Sequence, residues 1–309
     1  MSNFAPIALF TYARADHTRA TVESLLKNKE CADSNLYIFS DGSKTEEKRA
    51  AVDENRKFIH SITGFKSIYI IEHETNQGLA NSLIAGITQV VNQYGRVIVV
   101  EDDLQLSPYF LQFMNEALDK YEYEDKVSAI SGYCPVTDVE LPETYFLRYF
   151  HCWGWATWKR GWDLLNTDTK ELLRKIRWKT KHFDLDGSRG NYGMLYCQKV
   201  GLVDSWYIRL YASFYLAEKL ILFPGKSLTR NIGMDGSGTH TQDGNVIEKN
   251  LEVVSHSVEI KNIDILESET AYNAFKNFFS KEQSQMGFIK KTMRGFKTFV
   301  RKLFLIDCR

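Results

Sequence analysis

The sequence predicts an α/β fold built on a doubly wound, mostly parallel central sheet flanked by helices. Three observations carry this. Short apolar runs alternate with segments of helical period four times within roughly the first hundred residues. The run Val97-Ile98-Val99-Val100 is uniformly β-branched, as in a buried parallel strand, and stops at three consecutive acids, Glu101-Asp102-Asp103. Ser107 and Pro108 follow, types suited to a helix N-cap and first helical position.

In chain order, Pro6 to Tyr12 reads as the first strand, Ala13 to Arg19 as a polar turn, and Thr21 to Lys27 as a helix with Val22, Leu25 and Leu26 inward. Leu36 to Ser40 is the second strand, ended by Asp41-Gly42. Ser43 and Glu46 have capping-box spacing, so a helix follows to about His60. Ser67 to Ile71 is the third strand, and Asn76-Gln77-Gly78 turns into a helix carrying Leu79, Leu83, Ile84, Ile87, Val90 and Val91. After the acids, Tyr109 to Tyr121 is helical; Val127 to Gly132 and Tyr145 to Phe150 are short strands. Trp153, Trp155, Trp158 and Trp162 then put four tryptophans in ten residues. Trp155, Trp158 and Trp162 share the i, i+3, i+7 spacing of a core helix face, leaving Trp153-Gly154 ahead of it to touch a ligand. Asp163 to Arg189 predicts one helix and a surface loop, Leu210 to Leu216 a helix, and Leu220 to Pro224 a strand. Ser227 to His240 is glycine-rich and reads either as a loop closing over a ligand or as a plain surface loop.

The chain has 309 residues, with 39 basic and 39 acidic side chains, so no net field favours nucleic acid. The five cysteines (31, 134, 152, 197 and 308) show no zinc or redox spacing and read as reduced thiols of a cytoplasmic protein. The N-terminus lacks a secretory pattern, and no apolar stretch reaches membrane-span length. Near the C-terminus, Ile289, Met293, Phe296, Val300 and Leu303 interleave with Lys290, Lys291, Arg294, Lys297, Arg301 and Lys302. This basic amphipathic pattern over 287–304 reads as peripheral contact with an anionic membrane, at the inner face of the cell membrane; a helix packed on the domain is the alternative. The expected division is one domain over 1–254, with halves 1–125 and 126–254, and a tail over 255–309.

Ligands of open α/β sheets bind at the carboxyl ends of strands. Here those ends offer Thr11 to Arg14, Ser40-Asp41-Gly42 and Glu101 to Asp103. There is no Gly-x-Gly-x-x-Gly and no Walker lysine motif, which disfavours dinucleotide and P-loop sites. Adjacent acids repel unless a cation or hydrogen-bond donors offset them, and hard oxygen ligands suit Mg²⁺ or Mn²⁺ completed by a substrate phosphate.

With Val99-Val100-Glu101-Asp102-Asp103-Leu104, Ser107-Pro108, Ala13-Arg14, Asp41, Trp153-Gly154-Trp155, Asp204-Ser205-Trp206 and Arg230-Asn231-Ile232-Gly233 in this order, the chain resembles glycosyltransferases of the GT-A fold. The likeness is to N-acetylglucosaminyltransferase I and bacterial surface-polysaccharide enzymes, and covers about residues 5 to 240. It implies a Rossmann-like donor half and an acceptor-side α+β half. It further implies inverting transfer from a UDP-sugar, UDP-GlcNAc among them, to a glycan or lipid-linked glycan. Carried over residue by residue, Asp103 would bind the Mn²⁺ or Mg²⁺, Asp102 would face the ribose, Glu101 would orient nearby donors, Asp41 would contact the base and Arg14 the nucleotide. Thr11, Tyr12, Asn76, Gly78, Trp153 and Gly154 join the donor site. Asp204 would be the general base, with a cap or an ion pair to Arg209 as its alternative reading. Asn231-Ile232-Gly233 departs from the His-Phe-Gly of vertebrate-type relatives, which makes His240 the candidate substitute metal ligand. Two other readings stay open: a nucleotidyltransferase, which expects a glycine-rich phosphate loop that is absent, and a non-catalytic nucleotide-sugar or glycan-binding module.

Overall fold

The computed structural model describes residues 4–135, 137–233 and 251–284. His240 and the basic segment 287–304 lie outside these residues, as does Cys308. The first half alternates as expected: β1 (Ile7–Thr11), α1 (Ala15–Leu25), a 3-10 turn (Lys29–Asp33), β2 (Asn35–Ser40), α2 (Glu46–Ile59), β3 (Ser67–Glu72), α3 (Leu79–Tyr94) and β4 (Arg96–Glu101). Then come β5 (Leu104–Leu106), α4 (Phe110–Lys120), β6 (Val127–Ser131), β7 (Thr144–Leu147), β8 (Trp155–Trp158) and α5 (Lys159–Trp162). The chain continues through α6 (Thr169–Ile176), α7 (Thr180–Phe183), α8 (Asn191–Lys199), α9 (Trp206–Leu216), β9 (Leu220–Pro224) and β10 (Thr229–Asn231). A last helix, α10, covers 269–284.

Among the described residues, one sheet has the order β3-β2-β1-β4-β8-β6-β9-β7, and β5 pairs with β10 in a two-stranded ribbon. Four neighbouring pairs in the large sheet are parallel and three antiparallel. The chain winds outward from β1 through β2 to β3, then returns to place β4 on the other side of β1. The β1/β4 boundary is therefore the topological switch point, where the carboxyl ends of two strands open a crevice.

Period-two alternation divides β4 between two cores. Val97 and Val99 join the layer of α3, α6, α9 and α10, whereas Ile98 and Val100 join that of α1, α2 and α4. The same alternation corrects the tryptophan reading. Trp155 and Trp158 lie on β8, not on a helix, and point into opposite cores, with Trp162 on the short α5 behind. Three β-strand steps and one helical turn separate side chains by the same count, so the spacing alone did not tell them apart. Gly154 (φ +66) supplies the turn into β8, and a Cβ there would meet Thr229 Cγ2 at 2.8 Å and Phe110 Cε2 at 3.0 Å. Gly154 is buried there, and close packing against Thr229 and Phe110 requires a residue without a side chain.

Two other expectations change. A strand, β5, lies between the acids and α4, and its Leu104 and Leu106 amides donate to the hydroxyls of Thr21 (3.1 Å) and Ser24 (3.0 Å) on α1. The tail boundary at 254 also moves. Ala271, Phe275, Phe278 and Phe279 of α10 are buried in the first core, and Glu267 bridges to Phe146 on the edge strand β7. Residues 251–284 therefore belong to the domain and cover a sheet edge that would otherwise expose unpaired backbone groups. The cysteines 31, 134, 152 and 197 are free. No helix among the described residues is long and apolar enough to cross a membrane.

Candidate active site

The acids form a tight turn between β4 and β5, so three carboxylates share the crevice mouth. Arg14, at the start of α1, crosses from the β1 end to meet them. Its Nη2 pairs with Asp102 Oδ1 and lies 2.9 Å from Asp103 Oδ2. The backbone amide of Tyr12 adds a 3.3 Å bond to Asp102 Oδ2. One guanidinium faces three acids, an imbalance that favours their protonated forms. Burial first, then Asp103 and Asp102, push Glu101 up to about 8, with Arg14 opposing. Burial pushes Asp102 up to about 6 despite its pairing with Arg14. For Arg14, burial works against the charge, but Asp102 and Asp103 outweigh it and hold the guanidinium above its ordinary range. Both raised carboxyls bind more protons in the folded than in the unfolded chain, so they remove stability as pH rises from roughly 4–4.5 toward their folded values.

The ribbon β5/β10 brings a late loop against the same turn. Ile232 N donates to Asp103 O at 2.8 Å, and Gly233 N to Asn231 Oδ1 at 2.8 Å. A Cβ at Gly233 would meet Asp103 Oδ2 at 2.5 Å and Arg14 Nη1 at 2.8 Å. Gly233 therefore permits a close approach of backbone to Asp103 and Arg14.

The β2 end is held together by Asp41. Asp41 is buried and its oxygens are occupied by protein donors: Gly42 N (2.9 Å) and Gln77 N (2.8 Å) on Oδ1, Asn76 Nδ2 (2.9 Å) and Gly78 N (3.0 Å) on Oδ2. Asp41, Asn76 and Gly78 form one cradle that fixes the β3–α3 loop beside β2. Any contact of this loop with a base is made over a framework that Asp41 holds. Thr11 also faces inward: its hydroxyl lies 3.2 Å from Thr18 Oγ1 and accepts from Asn55 Nδ2. Asn55, which also donates to Tyr12 O at 3.2 Å, holds the β1 end from α2. The sequence carried a sign of it, since Asn55 sits between Val52 and Ile59 on the buried face of α2. Tyr12 Oη accepts from Lys44 N at 2.9 Å, tying the β1 end to the loop after β2.

On the other flank, Trp153 is half-buried, and its carbonyl accepts from Thr229 Oγ1 at 2.7 Å. His151 stacks on Tyr133 with ring centroids 4.0 Å apart and meets Trp153 edge-on at 4.7 Å. Burial, then the nearby Arg189, hold His151 well below its ordinary value. The unfolded chain binds a proton near pH 6.5 that the folded chain refuses, so this group costs stability as pH falls below that point. We expect the stability lost between pH 7 and pH 5 to be smaller in His151→Phe than in the parent, as read by thermal melts at both pH values. Equal losses would refute the assignment.

Asp204 precedes the Ser205 N-cap of α9, is 58% exposed at its side chain, and pairs with Arg209 Nη2 at 3.0 Å. Trp206, two residues on, stacks on Trp155 with centroids 5.7 Å apart. Trp155 lies opposite Val99, two residues before Glu101. The N-terminus of α9 therefore sits on the rim that carries the acids. The structure thus brings Tyr12, Arg14, Glu101, Asp102 and Asp103 together, sets Trp153 and Asp204 on the adjoining flank, and uses Thr11, Asp41, Asn76, Gly78 and Gly154 as framework. The described residues contain no cluster of three or more His, Cys, Asp or Glu arranged to hold a metal. A cation here would depend on few carboxylates and on oxygens from its ligand.

Residues 7–184 match the family described as Glycosyl transferase family 2, more than half of the chain. No curated protein matches. Among solved structures, the chain is similar to a mannosyltransferase from Pyrobaculum calidifontis in complex with GDP-Man and Mn²⁺, at 12% identity and TM-score 0.38, over 69% of each chain. It is similar to TarS from S. aureus at 16% identity and TM-score 0.33, over 46% of this chain and 24% of that one. It is also similar to a UDP-glucose pyrophosphorylase complexed with UDP-glucose at 11% identity and TM-score 0.36, over 72% of this chain and 90% of that one. Likenesses of this size carry no argument about donor or metal.

Proposed function

The chain belongs to glycosyl transferase family 2 and is a glycosyltransferase of GT-A type, and from that premise we propose inverting transfer of a sugar from a UDP-sugar to a glycan or lipid-linked glycan in surface-polysaccharide synthesis. One observation supports it most: three carboxylates and one guanidinium meet at the sheet's switch point, where a diphosphate would lie. The donor set fits a divalent cation, since its oxygens are hard and its acids are neutralised by Arg14 alone among the described cations. Asp103 would hold the Mn²⁺ or Mg²⁺. When bound, that ion supplies Lewis-acid stabilisation of the departing diphosphate. Asp102, held by Arg14 and Tyr12 N, would face the ribose, and Glu101 would orient the neighbouring donors. Asp204 takes the proton of the acceptor hydroxyl as it attacks from the side opposite the leaving group, which inverts the anomeric carbon. We also propose that the enzyme works at the inner face of the cell membrane; the basic-apolar repeat of 287–304 supports this reading.

The test is UDP release and product formation from a UDP-sugar and a glycan acceptor, with Mn²⁺ and with chelator. Acceptor-dependent, chelator-sensitive transfer is expected. Formation of UTP from UDP-sugar and pyrophosphate, with no transfer, would instead establish a nucleotidyltransferase.

A further inference from the structure

A cavity of about 510 Å³ lies away from the acidic turn, beside the end of β7, α7, α9 and the start of α10. Its place follows from strand register. Leu147 pairs with Ile221, Ile221 with Ala129, Ala129 with Thr157, and Thr157 with Val97 at the amino end of β4. Arg148, one residue on, is thus four strands from β4, about 19 Å at the usual ~4.8 Å spacing, and on the opposite rim from Asp103.

The walls are built. Glu267 accepts from Arg148 N through Oε1 (2.8 Å) and faces His182 Nε2 through Oε2 (2.8 Å), fixing both residues. The Arg148 guanidinium lies over the Tyr215 ring at 4.6 Å, and His182 stacks on Tyr272 at 4.8 Å. The acids at the cavity are engaged: Asp186 with Lys276 at 3.2 Å and Glu218 with Lys179 at 3.9 Å. Among the described residues, neither Lys181 nor the Arg148 guanidinium has a carboxylate within ion-pair distance. Arg148 Nε and His182 Nδ1 are buried without a hydrogen-bond partner. The cavity thus joins two cations outside any close ion pair, Arg148 held by the Tyr215 carbonyl at 3.1 Å and Lys181 on the rim, with the polar side chains of Lys179, Asp186 and Glu218.

We propose that this cavity is a second ligand site, separate from the donor site, for a saccharide carrying a phosphate or carboxylate. The anion pairs with Arg148 and Lys181, and the sugar hydroxyls bond the polar rim of Lys179, Asp186 and Glu218. The volume suits one or two sugar units. On a glycosyltransferase such a site would hold an acidic stretch of glycan while chemistry proceeds at the other rim.

The test is calorimetric titration of the full chain with glucose 6-phosphate, glucose and inorganic phosphate. Glucose 6-phosphate should bind most tightly, and Lys181→Gln and Arg148→Gln should each weaken it by about fivefold or more, as expected for one partly exposed charge-assisted bond. Asp103→Asn should leave this binding intact. Glucose binding as tightly as its phosphate, or Lys181→Gln binding like the parent, would overturn the proposal. Equal affinity for inorganic phosphate would overturn the saccharide assignment, and loss in Asp103→Asn would place the probe at the acidic turn instead. Lys181 is exposed, so its variant keeps the test decisive if Arg148→Gln fails to fold.

Discussion

Asp103→Asn should abolish Mn²⁺-dependent binding of UDP while the protein stays folded. The substitution keeps the shape of the side chain and removes the one carboxylate that meets both Arg14 and the 231–233 loop. Outer-shell partners of bound metals typically contribute 10–100-fold in affinity, so loss of a direct ligand should cost at least about 10²-fold. Calorimetry with and without Mn²⁺ reads this directly, and an unchanged melting temperature shows that the fold has survived. If the variant bound Mn²⁺ and UDP like the parent, the metal would lie elsewhere and the proposed chemistry would lose its centre.

Asp204→Asn should show the complementary pattern, with UDP and Mn²⁺ bound within about twofold of the parent and turnover reduced by roughly 10²–10⁴, the usual contribution of a general base. The geometry frames a clean contest. Arg209 Nε donates to Ser205 O at 3.2 Å and its Nη2 pairs with Asp204, so the arginine either orients a base or merely satisfies a surface acid. In the second case the pair is exposed and worth only about 0–1 kcal/mol, and the variant would turn over normally. Single-turnover rates with acceptor present separate the two.

The parts legible in the sequence were those where local pattern and tertiary position agree. The strand ending in Glu101-Asp102-Asp103 carried both its burial and its polarity in adjacent residues, so its place at a ligand-binding rim could be argued from the chain alone. Asp204 was read as a general base with an ion pair to Arg209 as the alternative; the pair was legible because a helix start brings the two within reach. Trp155 and Trp158 misled because a three-residue interval fits a helix face as well as a two-sided strand, and length alone would have arbitrated. Asp41 was legible as a rim residue, but its partners on the 76–78 loop depend on packing β2 beside β3, which spacing does not encode. Gly233 was legible as part of a glycine-rich loop, but its closeness to Asp103 was not, because it exists only once β10 has paired with β5, across more than a hundred residues of chain.

The parallel bridge between Phe146 and Glu267, with Ser268 N donating to Phe146 O, means that the last strand of the large sheet borrows its closure from a segment well beyond residue 184, where the family match stops. A chain trimmed to that match would lack β9, α9 and α10, leaving β6 and β7 with raw hydrogen-bonding edges and a bared aromatic floor. Such a fragment would find its missing neighbours in other copies of itself, and would precipitate before it could transfer a sugar.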